Sequence, residues 1–263
     1  MKGEIMGLAE IYCNEIHDNL RPLYGNWHPG TPVGLGDYGE LRNGVFVRLG
    51  NIRDLRVAFS VRDDPTQDQI TFSSQGKTEV TLAAAGAVAT GMPVTVKASI
   101  DIAFGSEKAV FFNASKCKYI TITDLVALGK EIMRLFESDS WDRSWSIVTQ
   151  VVEAASTTVV VSGSSSASVR LEALGDVPNI NLADASVKLG VATSKNVGLT
   201  IAAQDGLSPL IGLSKIQPRW LIFGHTLKPM RSSVGRETVE TLLNSRMVKT
   251  ENSKDELFFG QLP

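Results

Sequence analysis

The chain has 263 residues, of which 43% are hydrophobic and 21% are charged, with a formal net charge of −2. This composition is typical of a globular protein and excludes wholesale disorder, and the length suits one large domain or two small ones. The near-neutral charge, with no basic run interleaved with aromatic residues, argues against a nucleic-acid partner. Cys13 and Cys117 are too few for a disulfide framework and are typical of reduced thiols in a cytosolic protein.

The first predicted element is an amphipathic helix over residues 5–20, where apolar residues recur at helical spacing, and Pro22 ends it. Cys13 and His17 stand four residues apart on this helix, a spacing that two metal ligands can use. A pair with no further Cys or His nearby is interpreted as structural. No metal, cofactor or catalytic residue is therefore predicted, and the chain is not expected to be an enzyme.

A glycine-rich stretch at 33–39 formally matches the spacing of dinucleotide-binding loops. That fingerprint requires a strand before it and a helix after it, whereas here Pro32 precedes it and a strand pattern follows. The match is interpreted as chance. Asn43 and Gly44 instead predict the turn of a β-hairpin between two short strands.

Two long hairpins of low charge dominate the middle of the chain. The first spans 78–104, with apolar and polar residues alternating at period two and a turn at Gly91-Met-Pro93. Each arm has about the 9–11 residues with which a tilted strand crosses a bilayer. The residues predicted to insert into a membrane from this hairpin are Val80, Leu82, Val88, Val94, Val96, Ile100 and Ile102.

A helix over 123–137, with Thr123 or Asp124 as its N-cap, and a central apolar strand at 145–153 separate the two hairpins. The second hairpin spans 156–203 and turns at 175–179. Its serine-rich run lacks a nucleophile elbow and a nearby histidine, so no serine hydrolase is predicted. The residues predicted to insert from this hairpin are Val159, Val161, Val169, Leu171, Val187, Leu189 and Val191.

The order of elements from residue 78 to residue 216 resembles the pore-forming domain of the gasdermin family. That domain also has a low-charge hairpin, a helical segment, a central apolar strand, a second hairpin and a closing strand. The stretch Ser-Ile-Val-Thr-Gln-Val-Val-Glu at 146–153 is similar to the strand before the family's second hairpin. The resemblance implies an α+β fold: a twisted antiparallel β-sheet with two long hairpins and a few packing helices.

The resemblance also implies two parts, a β-rich pore-forming domain at 1–217 and a C-terminal tail at 218–263 that inhibits it. Such a protein is cytoplasmic and soluble until the tail is released. It then forms a homo-oligomer and inserts into a membrane, which causes cell death in immune defence. Its implied partners are membrane lipids, further copies of the chain and an activating protease. The basic residues expected to mark the cleavage region are Lys228, Arg231 and Arg236.

A second hypothesis is a non-enzymatic β-rich binding or self-assembling structural module, because any half-buried antiparallel sheet shows the same alternation. The feature that distinguishes the two hypotheses is whether both hairpins are long and protrude from a small core. On the first, Ile100→Lys or Val191→Lys is expected to abolish a pore while the soluble protein stays folded. The apolar tail at 257–259 either docks on the body or is an exposed liability.

Overall fold

The computed structural model describes residues 2–64, 67–74, 76–86, 97–182, 184, 186–218 and 257–263. These residues form a mostly antiparallel β fold with helices, which is compatible with the predicted α+β class. The helices are α1 (Lys2–Asn19) and α2 (Leu125–Glu137). The strands are β1 (Leu23–Gly25), β2 (Asp37–Arg42), β3 (Val45–Asn51), β4 (Val61–Asp63), β5 (Asp68–Ser73), β6 (Thr78–Ala83), β7 (Ser99–Phe104), β8 (Val110–Ile122), β9 (Trp145–Ser162), β10 (Ser168–Ala173), β11 (Leu189–Lys195), β12 (Val197–Pro218) and β13 (Leu257–Gln261).

The main sheet is built around β9 and comprises β1–β5, β8, β9, β12 and β13. Strand β12 pairs with one edge of β9 from Ser162 to Ser146, and β8 and then β2 pair with the other edge. Apolar residues of β9 therefore face both sides of the sheet, and both sides are covered. The predicted central strand at 145–153 is confirmed as part of β9.

A second, four-stranded sheet has the order β11-β10-β7-β6, and every neighbouring pair in it is antiparallel. We call it the hairpin sheet, because β6 and β7 come from the first predicted hairpin and β10 and β11 from the second. The pairing of β7 with β10 joins the two hairpins edge to edge. Its apolar face packs on the main sheet through Phe111 and Val160.

The two helices lie on different parts of the main sheet, and both confirm the predictions. Helix α1 buries Tyr12 and Ile16 against β8, β9 and β12. Asp124 is the N-cap of helix α2, and its carboxylate accepts a hydrogen bond from the Ala127 amide at 2.8 Å. Among the described residues, neither helix is long and apolar enough to cross a membrane.

The glycine-rich stretch at 33–39 leads into β2, which pairs with β3 as the predicted hairpin. A strand and not a helix follows the stretch, so it does not form a dinucleotide-binding turn. A side chain at Gly39 would overlap the carbonyl group of Val47 across this hairpin. Gly39 therefore allows two strands to approach closely, which accounts for this glycine without a ligand.

The prediction of two long hairpins is not confirmed in that form. The arms predicted for the second hairpin change sheets, because β9 and β12 pair in the main sheet whereas β10 and β11 pair in the hairpin sheet. The change occurs where the Gly163 amide donates to the Asn196 carbonyl at 3.0 Å. Val159 and Val161 consequently lie in β9, beneath α1, and not in the hairpin sheet. Alternation did not reveal this change because it indicates the face on which each residue of one strand lies, and not the strand with which that residue pairs.

The first hairpin is described on both arms but not at its tip. Predicted insertion residues Val88, Val94 and Val96 fall in 87–96, outside the described residues. Residues 219–256, which contain the predicted cleavage residues Lys228, Arg231 and Arg236, also lie outside the described residues. Strand β12 ends at Pro218, where the sequence predicted the boundary of the tail, and β13 then returns to pair with it.

Candidate functional site

The predicted insertion residues that lie in the hairpin sheet share one face of it. Cross-strand register aligns them in two rows, because paired residues of neighbouring strands project to the same side. One row is Val80–Ile102–Val169, and the other is Leu82–Ile100–Leu171–Val191. Leu189 continues the same face beside Ala173. Four strands from two hairpins therefore form one continuous apolar surface.

The longer row is buried in its middle and exposed at its two ends. Ile100 and Leu171 have no exposed surface, whereas Leu82 is 52% exposed and Val191 is 49% exposed. A lysine at Ile100 would bury an unpaired charge in the closed protein, which costs several kcal/mol. The expectation that Ile100→Lys leaves the soluble fold intact is therefore wrong, whereas Val191→Lys keeps its charge in water.

The opposite face of the hairpin sheet carries its charges. Arg170 on β10 pairs with Asp101 on β7 at 3.1 Å and with Glu172 on its own strand at 3.2 Å. These groups are partly exposed, so each pair contributes at most about 1 kcal/mol to stability. The position of these ion pairs is more informative than their contribution to stability. The charged side chains of β7 and β10 all lie on the face opposite the apolar rows.

A connecting segment between β10 and β11 folds back over the apolar rows. We call residues 175–182 the cover. Val177, Ile180 and Leu182 of the cover pack in the same cluster as Ile100 and Ile102, and Val187 joins them. The cover also reaches the first hairpin, because the Pro178 carbonyl accepts a hydrogen bond from the Ala85 amide at 2.8 Å. Hairpin residues predicted to meet lipid are thus shielded by the chain itself.

The tail strand β13 docks at the far end of β12, and we call its binding surface the tail dock. Leu257 and Phe259 are buried against Leu128, Ile132 and Met133 of α2. Gly129 makes room for this contact, since a Cβ atom at that position would lie 3.1 Å from Cβ of Phe259. The predicted alternative in which the apolar tail docks on the body is therefore what the structure shows.

Polar groups hold the backbone of the docked tail from several sides. Nε2 of Gln217 donates to the carbonyl oxygens of Gly260 at 3.2 Å and Gln261 at 3.1 Å. The Leu262 amide donates to the Leu213 carbonyl at 2.8 Å, and the Tyr24 hydroxyl donates to the Pro263 carbonyl at 3.3 Å. The tail is therefore bound both by side-chain burial and by a set of backbone contacts.

The titratable groups near α1 have structural roles. His17 stacks on Tyr24 with ring centroids 3.9 Å apart, and its Nδ1 lies 3.1 Å from the Leu23 carbonyl oxygen. The Cys13 thiol donates to the Gly25 carbonyl at 3.3 Å, so both side chains are hydrogen-bonded to the backbone of β1. Within the described part of the chain, no group of three or more His, Cys, Asp or Glu residues is placed to hold a metal ion.

Both cysteines are expected to resist thiol reagents in the folded protein. Burial raises the pKa of Cys13 to about 12 and is the main cause that raises the pKa of Cys117 to about 11. A raised pKa keeps each thiol protonated at pH 8, and only the thiolate reacts. A colorimetric thiol titration should therefore detect neither cysteine in the native protein and both in denaturant. Rapid labelling of either thiol in buffer would contradict this burial.

The sequence did not single out the residues that hold the tail, although one signal was present. A glycine in the middle of an amphipathic helix costs about 1 kcal/mol relative to alanine, so Gly129 indicates a close approach to that face of α2. Gln217 and Tyr24 carried no comparable signal. Comparison of the chain with protein-family models, with curated proteins and with solved structures found no match.

Proposed function

We propose that this chain is an autoinhibited pore-forming protein. In the proposed mechanism, release of the C-terminal tail allows copies of the chain to assemble, and their hairpins extend into a shared transmembrane β-barrel. The observation that carries the proposal is the hairpin sheet, in which four strands from the two predicted hairpins lie side by side with one apolar face and one charged face. The resemblance to the gasdermin pore-forming domain is consistent with it.

The two faces match the two surroundings of a strand in a membrane barrel. The rows through Ile100 and Ile102 would meet lipid, and Asp101 and Arg170 would face the aqueous lumen. A charge facing lipid at the bilayer midplane costs about 2–4 kcal/mol. Segregation of charge to one face is therefore what an inserting sheet needs.

The edges of the hairpin sheet support assembly side by side. Strands β6 and β11 stand at its two edges. Because every pairing within the sheet is antiparallel, β6 and β11 run in opposite directions, so β6 of one copy can pair antiparallel with β11 of the next. A ring of copies closed in this way satisfies the edge hydrogen bonds that lipid cannot satisfy.

The tail dock supports the proposed inhibition. Burial of a Leu or Phe side chain contributes about 1.5–3 kcal/mol, and Leu257, Phe259 and Leu262 are all buried in the docked state. The tail therefore contributes a substantial share of the stability of the closed arrangement, and its loss would favour rearrangement. Residues 219–256, which connect β12 to β13, include the predicted cleavage residues.

A leakage experiment tests the proposal. A recognition sequence for a specific protease is inserted after Arg236 of the full chain, and the protein is mixed with dye-filled phosphatidylethanolamine–phosphatidylglycerol vesicles. We expect dye release only after the protease is added. The chain without the inserted sequence, treated with the same protease, is the control. A cleaved protein that stays soluble and releases no dye would contradict pore formation and favour the self-assembling module.

A further inference from the structure

We propose that Asn113 and Ser115 form a latch that holds the cover closed, and that opening of this latch is a step separate from release of the tail. The inference rests on the proposed function, because it concerns how the hairpin sheet becomes free to insert. It assigns to two polar residues of β8 a role in the timing of insertion.

The cover has to move before the apolar rows can meet lipid. Val177, Ile180 and Leu182 lie on these rows in the closed protein. Strands β7 and β10 each have six residues, whereas about 9–11 are needed to cross a bilayer. The strands must therefore lengthen, and the cover is the segment that directly continues β10.

The latch is centred on the carbonyl oxygen of Leu182. Nδ2 of Asn113 donates to this oxygen at 3.1 Å, and the hydroxyl group of Ser115 donates to it at 2.7 Å. Asn113 is 3% exposed and Ser115 is fully buried. A carbonyl oxygen has two lone pairs, and here both are used by side chains of the main sheet. The cover is thus tied to a strand outside the hairpin sheet.

The amide of Asn113 is held in the orientation that the latch requires. Its Oδ1 accepts hydrogen bonds from the Thr71 hydroxyl at 2.8 Å and from Nε2 of Gln69 at 3.0 Å. This arrangement directs the NH2 group towards Leu182. A cavity of about 20 Å³, lined in part by Asn113, Asn181 and Leu182, lies beside the latch. It has room for about one water molecule, which could replace the latch donors as the cover opens.

Among the residues that the structure describes, the latch and the tail dock have separate contacts. The tail pairs with Ser214–Pro218 of β12 and packs on α2. The latch joins β8 to the cover, which packs on the hairpin sheet. Removal of the tail therefore leaves both hydrogen bonds to Leu182 in place, and the cover must still open before insertion.

Hydrogen–deuterium exchange of the intact protein without membranes tests the latch itself. Ser115→Ala removes one of the two donors, and we expect exchange in peptides covering 177–187 to become about fivefold faster. Ser162→Ala is the control, because Ser162 is also buried: its hydroxyl donates to the Ser106 carbonyl at 2.7 Å and accepts from the Ala109 amide at 2.8 Å, and neither partner belongs to the cover. Asn113→Asp, which keeps the Thr71 and Gln69 contacts but loses the donor to Leu182, should act in the same direction. Unchanged exchange in both latch variants would overturn the proposal.

Leakage after cleavage tests the separate step. With the protease site inserted after Arg236, Ser115→Ala should release dye several-fold faster than the parent protein once the tail is cut, and neither should leak before. If the cover of Ser115→Ala exchanges faster but the cleaved variant and the cleaved parent protein release dye at equal rates, the role of the latch in timing would be overturned. Faster exchange with no leakage from any cleaved protein would contradict the proposed function instead, and with it any role of the latch in insertion.

Discussion

Phe259→Ala is expected to make the intact chain release dye from vesicles without cleavage. The substitution leaves a cavity between β13 and α2, where Phe259 is 5% exposed. Loss of a buried phenylalanine costs about 3–5 kcal/mol, and here this cost falls on the contact that holds the tail. The tail would then be dissociated in a fraction of the molecules, and these molecules would be free to assemble. Vesicle leakage and the midpoint of thermal unfolding are the two measurements.

Phe258→Ala is the matched control, because the neighbouring Phe258 projects from the other side of β13 and is only partly buried. It should leave the intact chain inactive. A substitution on α2 tests the same contact from the other side. Gly129→Val should crowd Phe259 and so activate the intact chain. Ala127→Val, on the exposed side of α2, should leave the chain inactive. An intact Phe259→Ala chain that unfolds at a lower temperature yet never leaks would argue against inhibition by the tail.

Lysine on the apolar rows is expected to abolish leakage while the closed protein stays folded. Leu82 and Val191 are the suitable positions, because both lie on the apolar face and about half of each side chain is exposed. A lysine facing lipid at the midplane costs about 2–4 kcal/mol per copy, and this cost is repeated in every copy of the ring. Leu82→Lys and Val191→Lys should therefore show native unfolding temperatures and no dye release after the tail is cut.

A lysine on the charged face of the hairpin sheet is the control for each of these two variants. Thr81 adjoins Leu82 on β6, and Thr193 pairs with Arg170 on the charged face; both are exposed. Thr81→Lys and Thr193→Lys place the same charge towards the lumen, so both should still release dye. If variants of the two faces lose leakage equally, the assignment of the lipid face fails.

Local signals in the sequence predicted the local elements well. The N-cap at Asp124 and the apolar stripe after it located α2, and Asn43-Gly44 located the β2–β3 turn, since both depend on residues close together in the chain. Period-two alternation also sorted the residues of β6, β7, β10 and β11 onto the correct faces. The face on which a residue lies follows from its position in its own strand, so it can be predicted without knowing the neighbouring strand.

Long-range pairings could not be predicted in the same way. The pairing of Ile102 with Val169 and the change of sheet at Asn196 depend on segments that are far apart in the chain. The cover was predicted as a hairpin tip, because its turn residues do not reveal that it folds back onto the rows. The position of β13 depends on a space beside Gly129 that exists only once α2 and β12 have packed together.

The position of β13 after all the other described strands determines when the tail dock is filled during synthesis. Residues 219–256 lie between β12 and β13, so the ribosome completes every strand of the hairpin sheet before it makes the strand that fills the dock. At about 5–20 residues per second, this interval lasts several seconds. During it, a nascent chain with its hairpins formed has no docked tail, whereas the packing of the cover on the apolar rows and the hydrogen bonds from Asn113 and Ser115 are already in place. The cover would therefore protect the cell that synthesises the protein before the tail can do so.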